Sequence, residues 1–205
     1  MRNWFVDNLY MRGEFSYSND RTGYRGSFTG LPSDYGTVKQ THHAETIDFD
    51  FRIGKGFSFG PNVMVTPFIG AGSHYWDRDS SKSEGGSREE YSHGYAGGGL
   101  LVQFVPFDRF VVSTNGFVGS TFESFLNVTK TPVGQIPFSV NLGNSLIYKL
   151  GIGGDYALTD HLHLTAGFDY THFEYREGVN FAANAKEPDS RTSDMRFKVG
   201  LGYSF

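Results

Sequence analysis

Cysteine is missing altogether from the 205 residues. That excludes a disulfide framework and any thiolate zinc site, and it leaves a chain suited to passage through an oxidising compartment. Long apolar runs are missing too. A membrane helix needs roughly 20 consecutive apolar residues, and the longest stretch, Leu100 to Phe107, is interrupted by Gln103 and Pro106. No segment sustains the 3.6-residue period of an amphipathic helix. Neither sign of charge dominates: 18 Lys and Arg stand against 22 Asp and Glu, a net charge of -4 that argues against a nucleic-acid partner. Met1-Arg2-Asn3-Trp4 offers no charged leader followed by an apolar core. The expectation is therefore no signal peptide and, if the protein is exported, a mature form.

What the chain does have is glycine (27 residues), aromatics (17%) and period-2 alternation. Strand side chains point to opposite faces in turn. Leu9, Met11, Phe15 and Tyr17 alternate with Arg12, Glu14 and Ser16; Ile47, Phe49, Phe51 and Ile53 alternate with Asp48, Asp50 and Arg52. Ile69 and Tyr75 oppose Phe68 and His74; Leu100, Val102 and Phe104 oppose Gly97, Gly99 and Leu101. Val112, Val118 and Phe122 oppose Asn115, Phe117 and Glu123; Leu150, Ile152 and Tyr156 oppose Lys149, Gly151 and Asp155. Leu164, Phe168 and Tyr170 oppose His163, Thr165 and Asp169. An eighth strand closes the chain, with Met195, Phe197, Val199, Leu201, Tyr203 and Phe205 on one face and Arg196, Lys198, Gly200 and Gly202 on the other. Short connectors at Lys55–Pro61, Val105–Arg109 and Ala157–His161 alternate with long ones at about 18–45, 77–91, 124–144 and 176–193.

These features predict a single all-β domain over residues 1–205, an eight-stranded antiparallel up-and-down transmembrane β-barrel. Volume decides which face looks out. An eight-stranded barrel has an interior just wide enough to be filled by side chains, and the large apolar residues would overfill it, whereas Gly, Ser, Thr and a few charges fit. The apolar face is therefore expected to meet lipid. Aromatics gathered near the strand ends, such as Phe57, Phe107 and Tyr203 at one end and Phe15, Tyr17 and Phe122 at the other, match the girdles of membrane barrels. A strand that closes on an aromatic residue resembles the terminal strand of bacterial outer-membrane barrels. As a whole the chain looks like a small eight-stranded barrel of the OmpA transmembrane-domain, OmpX, Ail and opacity-protein kind. The resemblance implies a Gram-negative outer-membrane location, periplasmic termini, extracellular long loops and a terminal signal, at Tyr203 and Phe205, read by the barrel-assembly machinery.

Inside, the alternation places Arg12, Arg52, Lys149, Arg196 and Lys198 with Glu14, Asp48, Asp50, Glu123, Asp155 and Asp169. Buried charges must be paired, so the near balance predicts an ion-paired plug. Simple hairpin register sets Lys149 opposite Asp169 and Asp155 opposite His163, and barrel closure brings Glu14 to Arg196 or Lys198. Gly97 is expected opposite Phe117. A narrow water path past Gly151, Gly153, Gly200 and Gly202 is one alternative; a small apolar pocket for a lipid tail, lined by Phe68, Leu101 and Phe117, is another.

No catalytic residue is assigned. The segment from His74 to Asp79 holds an Asp-x-Asp similar to one half of the omptin protease site, but omptins are larger barrels and no Asp-x-His partner exists. Lipid A deacylases want His-x-Ser where this chain reads Thr171-His172-Phe173-Glu174. The acyltransferase type wants a rim His with an Asp-Ser pair, which Asp79-Ser80 and His74 match in residue type alone. His42-His43 beside Glu45 point apart on a strand, so no metal is expected, nor any cofactor. The first-ranked function is a non-enzymatic surface protein, using its loops for adhesion, ligand binding or envelope integrity. Expected partners are outer-membrane lipid and lipopolysaccharide, the assembly machinery and a host or surface ligand, with the protein a monomer. The alternative class is a lipid-active barrel, either a lipid A enzyme or a carrier of hydrophobic molecules.

Overall fold

In a computed structural model, residues 8–26, 38–82, 86–130, 136–180, 185–187 and 189–204 are described. The strands are β1 (Leu9–Gly26), β2 (Val38–Lys55), β3 (Phe57–Ser58), β4 (Val63–Asp79), β5 (Arg88–Phe107) and β6 (Phe110–Lys130), followed by β7 (Phe138–Asn141), β8 (Leu146–Ala157), β9 (Leu162–Tyr175), β10 (Gly178–Asn180), β11 (Ala185–Glu187) and β12 (Ser190–Tyr203). Eight of them pair antiparallel, each with its neighbour along the path β1-β2-β4-β5-β6-β8-β9-β12. Short β3 lies beside β4, β7 beside β6, and β10 and β11 form a separate ribbon. The fold is the all-β up-and-down arrangement expected, and the sheet curls until opposite walls touch. Lys149 of β8 reaches Asp50 of β2 at 3.1 Å, and His93 of β5 meets the Tyr175 hydroxyl of β9 at 2.8 Å.

The alternation sorts the side chains as the volume argument requires. Phe197 and Val199 are 84% and 82% exposed on the outer face, whereas Phe117 is 2% exposed in the lumen. The buried apolar cluster lies inside the curl. Tyr91, Leu126, Val128, Phe173 and Tyr175 pack with Trp76 and Phe138 toward the long-loop end, where β7 folds its Val140 onto β6. Phe68 and Phe117 pack with Tyr10 and Leu101 toward the short-turn end.

Three expectations are corrected. The long connectors are shorter than the alternation implies, because backbone pairing continues after it stops. β1 runs to Gly26 and β2 starts at Val38, β4 ends at Asp79 and β5 starts at Arg88, β6 reaches Lys130, and β12 begins at Ser190. Glu123 does not face the lumen. The β5–β6 ladder slips between Ser92 and Gly94, and Glu123 takes a left-handed φ of 50°, the mark of a bulge that reverses the facing of the residues beyond it. Glu123 is thus exposed, and Ser124, Leu126 and Val128 turn inward. The third correction is register: Gly99, not Gly97, stands opposite Phe117, and Thr171, not Asp169, stands opposite Lys149.

Gly99 provides room for its neighbours. A Cβ there would lie 2.5 Å from Phe68 Cζ and would press on the Gly116 carbonyl oxygen. Overpacking a filled interior costs about 1–3 kcal/mol. Gly99→Val is expected to lower the midpoint of urea unfolding accordingly, while Gly13→Val, where a Cβ meets nothing within 4 Å, should not.

Among the described residues no backbone ladder joins β1 to β12. Side chains cross that seam instead. Lys198 contacts Glu14, and Arg196 Nη1 donates to Ser16 Oγ at 2.6 Å. Both contacts fit a single antiparallel register, since two residues up β1 match two residues down β12. Tracing paired residues from Arg12 through Arg52, Gly70, Gly97, Gly119, Ile147, Phe173 and Thr192, then across this register, returns to β1 at Asp20, eight residues further on. Eight strands with a stagger of eight tilt by about 36°, within the range of roughly 35–45° for closed barrels. The same register sets outward Phe15 opposite outward Phe197. In this cysteine-free chain, Phe15→Cys with Phe197→Cys should cross-link on mild oxidation. Phe15→Cys with Val199→Cys, two residues out of step, should not, because diagonal neighbours stand about 7–8 Å apart.

Candidate functional site

The inward polar residues assemble into three neighbouring networks in the lumen. In the first, Asp50 accepts from Arg52 Nε at 2.7 Å, from the Tyr95 hydroxyl at 2.8 Å and from Lys149 Nζ at 3.1 Å. Arg52 also donates to Asn115 Oδ1 at 3.0 Å, and its guanidinium lies 5.0 Å from the Phe68 ring centre. Lys149 Nζ sits 4.0 Å from the centre of the Tyr95 ring. In the second, Asp48 accepts from Arg196 Nη2 at 2.5 Å and from Ser16 Oγ at 3.2 Å, and it meets His74 Nδ1 at 2.6 Å. Arg196 also meets Asp194 at 2.6 Å. In the third, Lys198 bridges Glu14 and Asp169, the latter at 2.5 Å, and Arg12 pairs with Glu14. Nearer the short turns, Asp155 meets His163 Nδ1 at 2.7 Å.

Lys149 therefore finds Asp50 across the lumen rather than Asp169, which goes to Lys198. Asp155 and His163 do meet, as diagonal neighbours. Members of these networks, Asp48, Asp50, Lys149 and Arg196 among them, themselves line a cavity of about 630 Å³, together with His74, Trp76, His93, Tyr95 and Phe173. Phe68 and Phe117 stack at 6.3 Å between ring centres with Leu101 packed against them, and none of the three lines this cavity.

The residues weighed for catalysis do not converge. Asp77 is held by Arg88 at 2.6 Å, and Asp79 accepts from Ser81 Oγ at 2.6 Å at the tip of the β4–β5 hairpin. These contacts also set the local charge states. The Ser81 hydrogen bonds hold the Asp79 carboxyl below its ordinary pKa, and Asp77 raises that of the Arg88 guanidinium. His74 lies in the lumen, while Asp169 faces inward and His172 stacks outward on Tyr148 at 4.9 Å. His42 is buried and His43 exposed, so the two point apart as expected. Tyr203 faces outward, 64% exposed, and Phe205 lies outside the described residues.

No protein-family model matches the chain, and no curated protein matches it. Alternation puts Ser16, His74 and Asn115 on the inward face without giving them a role, whereas Tyr95, Tyr175 and the pairing of His74 with His93 are not singled out by it. Each occupies an inward position of its strand, which is the signal that identifies them. What the arrangement does chemically is neutralise buried charge across walls far apart in sequence. It sets fixed ion pairs across the lumen around a cavity that their own side chains help to line.

Proposed function

We propose that this protein is an integral outer-membrane β-barrel with a charge-plugged interior, and that it acts through its extracellular loops in surface adhesion, ligand binding or envelope integrity. The observation that carries this reading is the inverted sorting of side chains. Ile69, Leu150, Ile152, Phe197, Val199 and Leu201 are exposed around the outer wall, whereas Asp50 and Arg52 are buried inside it. A monomeric soluble protein rarely exposes contiguous apolar patches beyond a few hundred Å²; an apolar outer band is what a membrane barrel requires. The short turns and termini then face the periplasm and the long loops face outward. The partners are outer-membrane lipid and lipopolysaccharide, the assembly machinery that reads the terminal strand, and a ligand at the loops. The ion-paired lumen favours a plug over a pore.

The protein should co-fractionate with outer membranes and migrate faster on a denaturing gel unboiled than boiled; migration unchanged by boiling counts against the barrel. Planar-bilayer recordings should show no large, stable, ion-selective steps, and their appearance would replace the plug by a pore. Mass spectrometry of lipid A from cells with and without the protein should find identical acyl patterns. A difference would move the protein into the lipid-active class.

A further inference from the structure

His74 of β4 and His93 of β5 are paired residues on neighbouring strands, and both line the lumen cavity. Residues so opposed hold their Cβ atoms about 4.5–5.5 Å apart, a spacing from which two imidazoles reach one ion. Their ring centres are 5.1 Å apart. One nitrogen of each ring is already committed: His74 Nδ1 meets Asp48 Oδ1 at 2.6 Å, and His93 Nδ1 meets the Tyr175 hydroxyl at 2.8 Å. Metal-binding histidines are built this way. A partner on one nitrogen fixes the tautomer and the ring plane, and the other nitrogen becomes the ligand.

The second observation is the state of that other nitrogen. His93 is 3% exposed, and its Nε2 is buried with no hydrogen-bond partner. An unpaired buried polar atom is unfavourable and calls for an explanation such as a missing ligand. Phe173 packs on both imidazoles, with ring centres 5.2 Å from His74 and 4.6 Å from His93, which restrains both.

We propose that His74 and His93 bind a late first-row divalent cation, Zn²⁺, Cu²⁺ or Ni²⁺, through their Nε2 atoms. Imidazole suits these ions, whereas Mg²⁺ and Ca²⁺ want oxygen ligands. The nearby carboxylates are engaged by cations of the protein, Asp48 by Arg196 and Asp50 by Arg52 and Lys149. They contribute charge beside the site rather than free ligands. Among the described residues no group of three or more ligating side chains gathers. The site is accordingly an open one, with two protein ligands and cavity water in the remaining positions.

The test uses the metal-free full chain folded in detergent, titrated with CuSO₄ and with ZnCl₂ by calorimetry in a non-chelating buffer. A single saturable site is expected, and Cu²⁺ should quench the fluorescence of Trp76, which lines the same cavity. His74→Gln and His93→Gln should each weaken binding at least tenfold, whereas His43→Gln, on an exposed side chain, should leave it unchanged. Pulsed electron paramagnetic resonance of the Cu²⁺-loaded wild type should detect two imidazole nitrogens, a readout independent of how the variants fold. Absence of saturable binding, binding insensitive to both lumen substitutions, or a Cu²⁺ spectrum with fewer than two imidazoles would overturn the proposal.

Discussion

Asp50→Ala is expected to destabilise the folded barrel by about 3–5 kcal/mol, the range for removing one partner of a buried ion pair. The carboxylate sits at the crossing point of three strands and is 8% exposed. It receives Arg52 from its own strand, Tyr95 from β5 and Lys149 from the opposite wall. Deleting it leaves two cations facing each other without compensation in a region they cannot leave. Lys149→Met should cost less, because Asp50 then keeps Arg52 and Tyr95, and the methionine stem fills much of the lysine's volume. Asp50→Asn belongs between them, since its amide oxygen still accepts from Tyr95 and Arg52 while the charge is gone. Urea-induced unfolding in a fixed detergent measures all three. Equal losses for Asp50→Ala and Lys149→Met would mean that cavity volume, not unpaired charge, sets the cost.

That carboxylate also marks how far the sequence can be read. Alternation decides which face a residue occupies, and it places Asp50, Arg52, Lys149, Asp169 and Lys198 inside correctly. It does not decide which neighbour a residue meets. A slip of two residues between strands preserves every facing and changes every partner, so simple register matches Lys149 to Asp169 although Thr171 stands opposite it. The cause is local: the β8–β9 turn closes with the Leu158 amide donating to the Leu162 carbonyl at 2.8 Å, one residue further along on each strand than the simple hairpin assumes. Bulges are harder still. The slip between Ser92 and Gly94 and the left-handed Glu123 reverse facing itself, and nothing in the polar and apolar pattern announces them. The cross-lumen contacts, Lys149 to Asp50 and His93 to Tyr175, depend on how eight strands curl together. They come from closure geometry rather than from any one segment. Charge balance foretells that pairing occurs; the curl decides who pairs.

The solvent around the outer wall is the remaining question with a large energetic signature, and Phe197→Arg addresses it. Phe197 is 84% exposed and packs against Phe168 at 5.0 Å between ring centres, so its replacement disturbs little of the interior. At a water-facing position such a substitution falls within about 0.5 kcal/mol of neutral. At the middle of a bilayer the same change costs about 2–4 kcal/mol, falling to roughly 0–1 near the interface. Phe197 and Val199 lie midway along the apolar face of β12, and Tyr203 lies at its end. Unfolding from lipid vesicles is therefore expected to show a depth profile, with Phe197→Arg and Val199→Arg costly and Tyr203→Arg mild. A steric or folding defect would follow side-chain size or sheet position and would persist in any solvent. A penalty that follows depth, and that shrinks when short-chain lipids thin the bilayer, has only the hydrocarbon as its source. Uniform near-neutrality along β12 would place the apolar wall against water or a protein partner and remove the basis for the membrane reading.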